Sequence, residues 1–302
     1  MIVVCGEALI DMIDNGDGTQ RPTPGGGPFN TARALARLGV PTAFLGRLST
    51  DALGRELAGI LESDGVSISM ATCGPEPTTI AVAEVDGDGL AEYQFVVDGT
   101  SAPNFTIPML PDSLPDEVDA IHVGTLGLAL EPMASTVVEL VGRESGRRLV
   151  MLDPNVRPGL ISDPEYRGRL ESVIPLSTVV KASVADLEWL YGELDYEAAA
   201  ERILDAGARL VIVTLGASGA FGATAKLRVR VDAPQVEVVD TIGAGDVFGA
   251  ACLARLFESE RLVPELDLDA EELRSLLTFA CKAASVVCTR VGADPPWRSE
   301  LE

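Results

Sequence analysis

The sequence predicts an α/β protein whose mainly parallel sheet is covered by helices on both faces. Two observations carry that expectation. From Ala120 onward, short apolar runs of strand type (AIHV, RLVMLD, STVVKA, ARLVIVTLG) alternate with segments of helical spacing. Parallel strands need such crossover helices, and strands buried on both faces read as continuous apolar runs. The last third then closes on two long helical patterns, 245–257 and 271–287. A third observation adds a smaller piece: 67–97 drops this rhythm for period-two alternation, the mark of antiparallel strands.

In chain order, Ile2–Cys5 reads as a short strand that ends at Gly6-Glu7. The stretch 11–24 is polar and turn-rich, with NGDG at 15–18 as a hairpin turn. GGGPFNTARALARLG, 25–39, has helical spacing, and Gly39 fits its C-terminal end. Thr42–Leu45 is a second strand and 51–63 a second amphipathic helix. TTIAVAEV and LAEYQFVV flank a turn, GDG at 87–89. Helices are expected at 132–143, near 163–173, at 185–191 and at 196–206. The β-rich pieces 11–24 and 67–98 both interrupt the α/β pattern near Gly-rich loops. They read as one small sheet, a discontinuous lid on a single domain spanning 1–302.

A chain of 302 residues that is 47% hydrophobic can bury a sizeable core. Its formal charge of −23 and pI near 4.3 repel nucleic acid and other polyanions. Any phosphate site must therefore be local, built from backbone amides, a metal and a few basic groups; only Lys181, Lys226 and Lys282 are lysines. Five cysteines, with no CxxC spacing, read as free thiols in apolar surroundings. His122, the only histidine, falls in a buried strand, which leaves no ligand set for zinc. No apolar run reaches membrane-spanning length and no basic segment leads into an apolar one, so the expectation is a cytoplasmic protein without membrane partners.

The chemistry centres on DTIGAGDVFGAA, 240–251. The small-residue turn Gly243-Ala244-Gly245 admits close backbone approach, and an apolar helical run follows at once. A helix start presents unpaired amides and partial positive charge, which suits phosphate. Asp246, in the first turn, could take a proton from an attacking hydroxyl, or simply cap the helix. Turn, helix and carboxylate together suit phosphoryl transfer to an alcohol. The commoner nucleotide motifs are missing: GGGPFN lacks the last glycine of GxGxxG, and no Gly-Lys pair exists for a Walker A loop.

DTIGAGDVFGAA resembles the C-terminal signature of the ribokinase-like (PfkB-type) carbohydrate kinases, and GGGPFNTA resembles their N-terminal one. The resemblance runs from about residue 2 to 297 and implies a ribokinase-like three-layer fold with a small β-sheet lid. It makes Asp246 the general base, with Gly243, Ala244 and Gly245 as the anion hole. Gly26, Gly27 and Asn30 would hold the sugar, joined by Asp11 of GEALID and Arg157 of DPNVRP. KASVADLEWL aligns with an element that supports magnesium through water, which places Ser183 near ATP and Asp186 near the metal. VTLGASG implies ATP contacts from Thr214, Gly216, Ser218 and Gly219, and Cys281 stands where the family often has an adenine-contacting Asn. Asp240, Ile242, Arg290 and Gly292 resemble the two halves of a potassium site.

Within the family, GEALID, GGGPFN, GRLSTD and DPNVR are closest to fructokinases. The implied reaction is ATP-dependent phosphorylation of fructose to fructose 6-phosphate, with Mg2+ and K+. The alternatives are 2-keto-3-deoxygluconate or ribose as substrate, or a non-catalytic sugar or nucleotide sensor, which would have no need of Asp246. A homodimer that joins through the lids is expected from the exposed strand edges of such a small sheet.

Overall fold

The computed structural model describes residues 1–14, 19–85, 91–156 and 164–302. The predicted turns at 15–18 and 87–89, and Arg157, lie outside the described residues. An eight-stranded sheet forms the centre. Its parallel part consists of β1 (Ile2–Cys5), β4 (Thr42–Leu45), β9 (Ala120–Gly124), β10 (Leu149–Asp153), β11 (Val179–Ser183) and β12 (Leu210–Thr214). β13 (Ala220–Ala223) and β14 (Arg228–Val231) extend it antiparallel, giving the order β14-β13-β12-β11-β10-β9-β1-β4. Sequence reading ended this sheet at β12. The added strands are only four residues each, AFGA and RVRV; the first is rich in small residues and carries little local signal, and the alternation of the second is too short to stand out.

Period-two alternation sorts every central strand into two cores. Ile2, Val4, Met151, Val179 and Ile212 face one side; Val3, Cys5, Val150, Val180 and Val211 face the other. Helices α1 (Gly27–Arg37), α2 (Ala52–Ser63), α7 (Ala244–Glu258) and α8 (Ala270–Cys288) cover the first face. Helices α3 (Met133–Glu144), α4 (Tyr166–Val173), α5 (Val184–Tyr191) and α6 (Tyr196–Ala206) cover the second. That makes three layers, the ribokinase-like arrangement. No helix among the described residues is long and apolar enough to cross a membrane.

A second sheet of four strands, in the order β3-β2-β7-β8, stands apart from the first. It joins β2 (Leu9–Asp14) and β3 (Gln20–Gly25) to β7 (Ile80–Val85) and β8 (Ala91–Val96). Both hairpins are antiparallel, but β2 and β7 pair in parallel, Ile10 beside Ile80, so the sheet is mixed. Asp51 anchors the approach to it. Its carboxylate caps α2 at Gly54 N and accepts from both the amide and the hydroxyl of Thr78. A parallel pair that the sequence did not announce, β5 (Arg47–Ser49) with β6 (Thr72–Gly74), ties the two regions together.

Candidate active site

The N-terminus of α7 fixes the site. Its N-cap, Gly243, adopts a left-handed conformation (φ 77°), and a Cβ there would meet that of Ala293 at 2.5 Å. Only glycine fits on both counts. The turn delivers Asp246 into the first turn of α7, 8% exposed, with its Oδ2 accepting a 2.9 Å hydrogen bond from Asn30 Nδ2. Asn155 Nδ2 reaches the Oδ1 side at 3.5 Å and donates to Thr125 Oγ1 at 3.3 Å. Asn155 (φ 42°) and Thr125 (φ 52°) are two of three non-glycine residues with positive φ among the described residues. Such backbone persists where the surroundings over-determine it, and here both cases lie at one carboxylate.

Helix α1 packs its first turn against the same carboxylate. A Cβ on Gly27 would lie 2.5 Å from Thr125 Oγ1 and 3.3 Å from Asp246 Oδ1. Asp11 comes in from β2, where Gly25 leaves room for its carboxylate. The structure thus gathers Asp11, Gly26, Gly27, Asn30 and Asp246 around one cavity of about 360 Å³, lined also by Glu7, Thr125, Asn155 and Thr241. Among these, Asn30 departs from its expected role in one respect: its amide donor is engaged by the base, so it orients Asp246 as well as facing the cavity.

Glu7 is fully buried. Gly127 N donates to its Oε2 at 3.1 Å, while Oε1 has no hydrogen-bond partner. Burial, with the charge of Asp246 adding to it, pushes its pKa up to about 8, against the pull of nearby backbone amides.

A second cavity, of about 340 Å³, opens on the other side of the α7 terminus. Thr214, Gly216, Gly219 and Cys281 line it, with the segment 233–236, Val238, Phe248 and Ser285; Ser183 and Ser218 lie outside its lining. Burial pushes the Cys281 thiol up to about 11, so it is a neutral, weakly polar wall. Gly245 and Thr241 line both cavities. The turn expected to form the anion hole therefore lies between the two cavities.

Below that junction lies a buried pair the sequence did not reveal. Lys181 Nζ donates to Asp153 Oδ2 at 2.8 Å, both nearly inaccessible, and sits 3.2 Å from where a Cβ of Gly245 would be. Burial opposes the Lys181 charge, but Asp153, with Asp186 and Asp246 behind it, holds the ammonium above its ordinary pKa. His122 lies on the same face of the sheet two strands away from Lys181, without a partner for either ring nitrogen. Burial and then Lys181 push its pKa down to about 3, so it is neutral.

Asp186 takes a structural place. Its Oδ2 accepts from Ser183 N and Oγ, closing the capping box of α5, and its Oδ1 accepts from Val156 N at 2.7 Å. Both oxygens are engaged, neither residue lines either cavity, and no group of three metal-ligating side chains exists among the described residues. Asp240 clamps two segments, accepting from Ile242 N at 3.0 Å and from Gly292 N at 2.8 Å. The Arg290 guanidinium turns instead to Asp294 and Glu300.

A model described as "pfkB family carbohydrate kinase" matches residues 1–300. A fructokinase from Rhizobium leguminosarum bv. trifolii is 40% identical over 282 residues, covering 91% of this chain and 86% of the relative. Among solved structures, a double mutant of the Vibrio cholerae O395 fructokinase, with fructose, ADP and potassium bound, superposes with TM-score 0.86 at 29% identity, covering 97% of this chain and 93% of the other. The Salmonella enterica aminoimidazole riboside kinase, complexed with its riboside and an ATP analogue, also reaches 0.86, at 25% identity over 99% of this chain and 98% of the other.

Proposed function

The chain belongs to the pfkB family of carbohydrate kinases, and from that membership we propose that it transfers the γ-phosphoryl group of ATP to the 6-hydroxyl of fructose. The observation that carries this reading is the position of Asp246. It stands at the head of α7, held by Asn30, where the cavity in front meets the one behind. A sugar hydroxyl in the front cavity gives its proton to Asp246, and its oxygen attacks the γ-phosphorus as ADP leaves. Amides of 243–246 face the developing charge, and buried Lys181 adds a fixed positive charge behind them.

Fructose is favoured by the 40% identity to a fructokinase, since the fold alone fits a riboside kinase as well. The front cavity argues against 2-keto-3-deoxygluconate. It presents the carboxyl groups of Glu7, Asp11 and Asp246, and no basic side chain among its described lining residues. A sugar acid would bring a further negative charge, with no basic side chain among the described lining residues to meet it.

ATP brings a metal ion, which we take to be Mg2+, held mainly by the phosphates and water; its charge would offset theirs. Asp186 does not fit as its direct ligand. The potassium ion in the Vibrio cholerae fructokinase structure supports a monovalent cation near the segments that Asp240 joins, where it would stiffen the anion-hole turn.

A coupled ATP assay over fructose, ribose, glucose, adenosine and 2-keto-3-deoxygluconate tests the reading. Fructose should give the highest kcat/KM, and activity should rise when potassium replaces a large organic cation at constant ionic strength. A higher kcat/KM for any other sugar would overturn fructose as substrate, and indifference to potassium would remove the cation.

A further inference from the structure

We propose that Glu7 is a specificity-determining hydrogen-bond donor of the front cavity, with a protonated Oε1 that gives its hydrogen to a hydroxyl of the bound sugar. This rests on the reading of that cavity as the sugar site. Three observations lead to it. Glu7 is fully buried, it lines the cavity, and its Oε1 is a buried oxygen without a partner while Oε2 is occupied by Gly127 N. A buried polar atom left unpaired is costly, and at a ligand site the ligand supplies the missing partner. A carboxylate could only accept there, competing with Asp246 and Asp11 for the same hydroxyl hydrogens. A carboxylic acid donates, and so reads the oxygen lone pairs that those two groups leave untouched.

The surroundings keep the proton in place. The groups facing Glu7 are Asp246 from α7, Asp11 from β2 and the Cys5 thiol of β1; none is a cation, and the turn at Gly127 and the start of α1 at Gly27 offer only backbone amides. The pKa of about 8 exceeds the ordinary value for a glutamate, 4.5. The sign follows directly. The acid form holds through neutral pH, and the donor is lost as pH rises through about 8.

Two variants separate this role from packing. Glu7→Gln keeps an acceptor for Gly127 N and a donor toward the cavity, but never ionises. Glu7→Leu keeps the apolar bulk and removes both. Fructose binding is measured by calorimetry with a non-hydrolysable ATP analogue present, between pH 6 and 9. Wild-type affinity should fall about tenfold from pH 7 to pH 9, as nine-tenths of the acid form is lost. Glu7→Gln should match the wild type at pH 7 within about threefold and stay flat at pH 9, and Glu7→Leu should bind about tenfold more weakly at every pH. If Glu7→Gln follows the wild-type pH profile, the proposal fails, and that result stands even if Glu7→Leu does not fold. Glu7→Leu binding as well as the wild type would also overturn it. Wild-type protein that binds another sugar but not fructose would overturn the fructose reading alone, provided Glu7→Gln still flattens the pH profile for that sugar; binding of no sugar would overturn both.

Discussion

The cavity in front of Asp246 is lined by three carboxyl groups, two side-chain amides and two threonines, whereas the cavity behind Gly245 carries no charged side chain among its lining residues. The difference is one of task. A neutral polyol is told from its neighbours by directional hydrogen bonds, and a site built of buried polar groups rejects a ligand that leaves them unpaired. A nucleotide base needs area more than direction, and the walls there are mostly glycines, valines, alanines and cysteines, with Pro234 and Phe248. Phosphates at the junction, as we propose, would enter a protein of net charge −23 with no arginine or lysine among the described lining residues of either cavity. On that reading their compensation would come from below and from the backbone: the α7 amides, the buried Lys181 and the metal that ATP carries.

The largest expected effect tests whether chemistry belongs to the front cavity alone. Asp246→Asn keeps the size and one acceptor oxygen, enough for either Asn30 or Asn155, but cannot accept the proton. Turnover should fall by about 10²–10⁴ while ATP affinity stays within about threefold. A variant that retained more than about a tenth of the turnover would remove Asp246 as general base. A parallel loss of ATP affinity would mean that the two cavities are not independent.

A smaller effect tests the charge beneath the junction. Lys181→Met leaves Asp153 buried without its partner, and breaking such a pair typically costs about 3–5 kcal/mol of stability. The double variant Lys181→Met with Asp153→Asn removes both charges and should recover most of that loss in thermal unfolding. Its turnover should stay reduced, by about tenfold or more, if the ammonium serves the transferring phosphoryl group. Full recovery of turnover together with stability would make the pair purely structural.

The uneven legibility of these regions has a physical source. The α7 terminus was readable because Gly243, Gly245 and Asp246 are sequence neighbours whose residue types alone dictate a turn, a helix start and a carboxylate. Asp11, Gly26, Gly27 and Asn30 were readable from two short motifs, and the structure brings them to the same cavity. Glu7, Thr125, Asn155 and Lys181 were not singled out. Glu7, Thr125 and Asn155 lie just beyond the C-terminal ends of β1, β9 and β10, Lys181 lies within β11, and only the strand order β11-β10-β9-β1 makes them neighbours. Parallel registry leaves no local trace. The φ of 42° at Asn155 had no signal either, beyond the tolerance of Asn for that region. Asp186 shows the converse. A motif match implied a magnesium role through water, while the spacing Ser-x-x-Asp at a helix start is also a capping box, and the capping box is what the local hydrogen bonds form.

The smallest expected effect separates the two cavities by motion. The four-stranded sheet is too small to bury a core alone. It meets the front cavity through Leu9 and Asp11 of β2, whereas no residue of its strands lines the rear cavity. We propose that it closes over the sugar, which would keep water from competing for the phosphoryl group. Hydrogen exchange reads this directly. Fructose alone should slow exchange in β2, β3, β7 and β8 by a few-fold, more than in the outer helices α3 and α6, because a ligand stabilises the segments that it holds closed. An ATP analogue alone should instead protect the segment 233–238 and leave the small sheet near its free rate. Equal protection of the sheet by either ligand would mean that closure is set at the shared junction, through Thr241 and Gly245. Unchanged exchange in the sheet at saturating fructose would mean that it is a fixed wall and that closure does not occur.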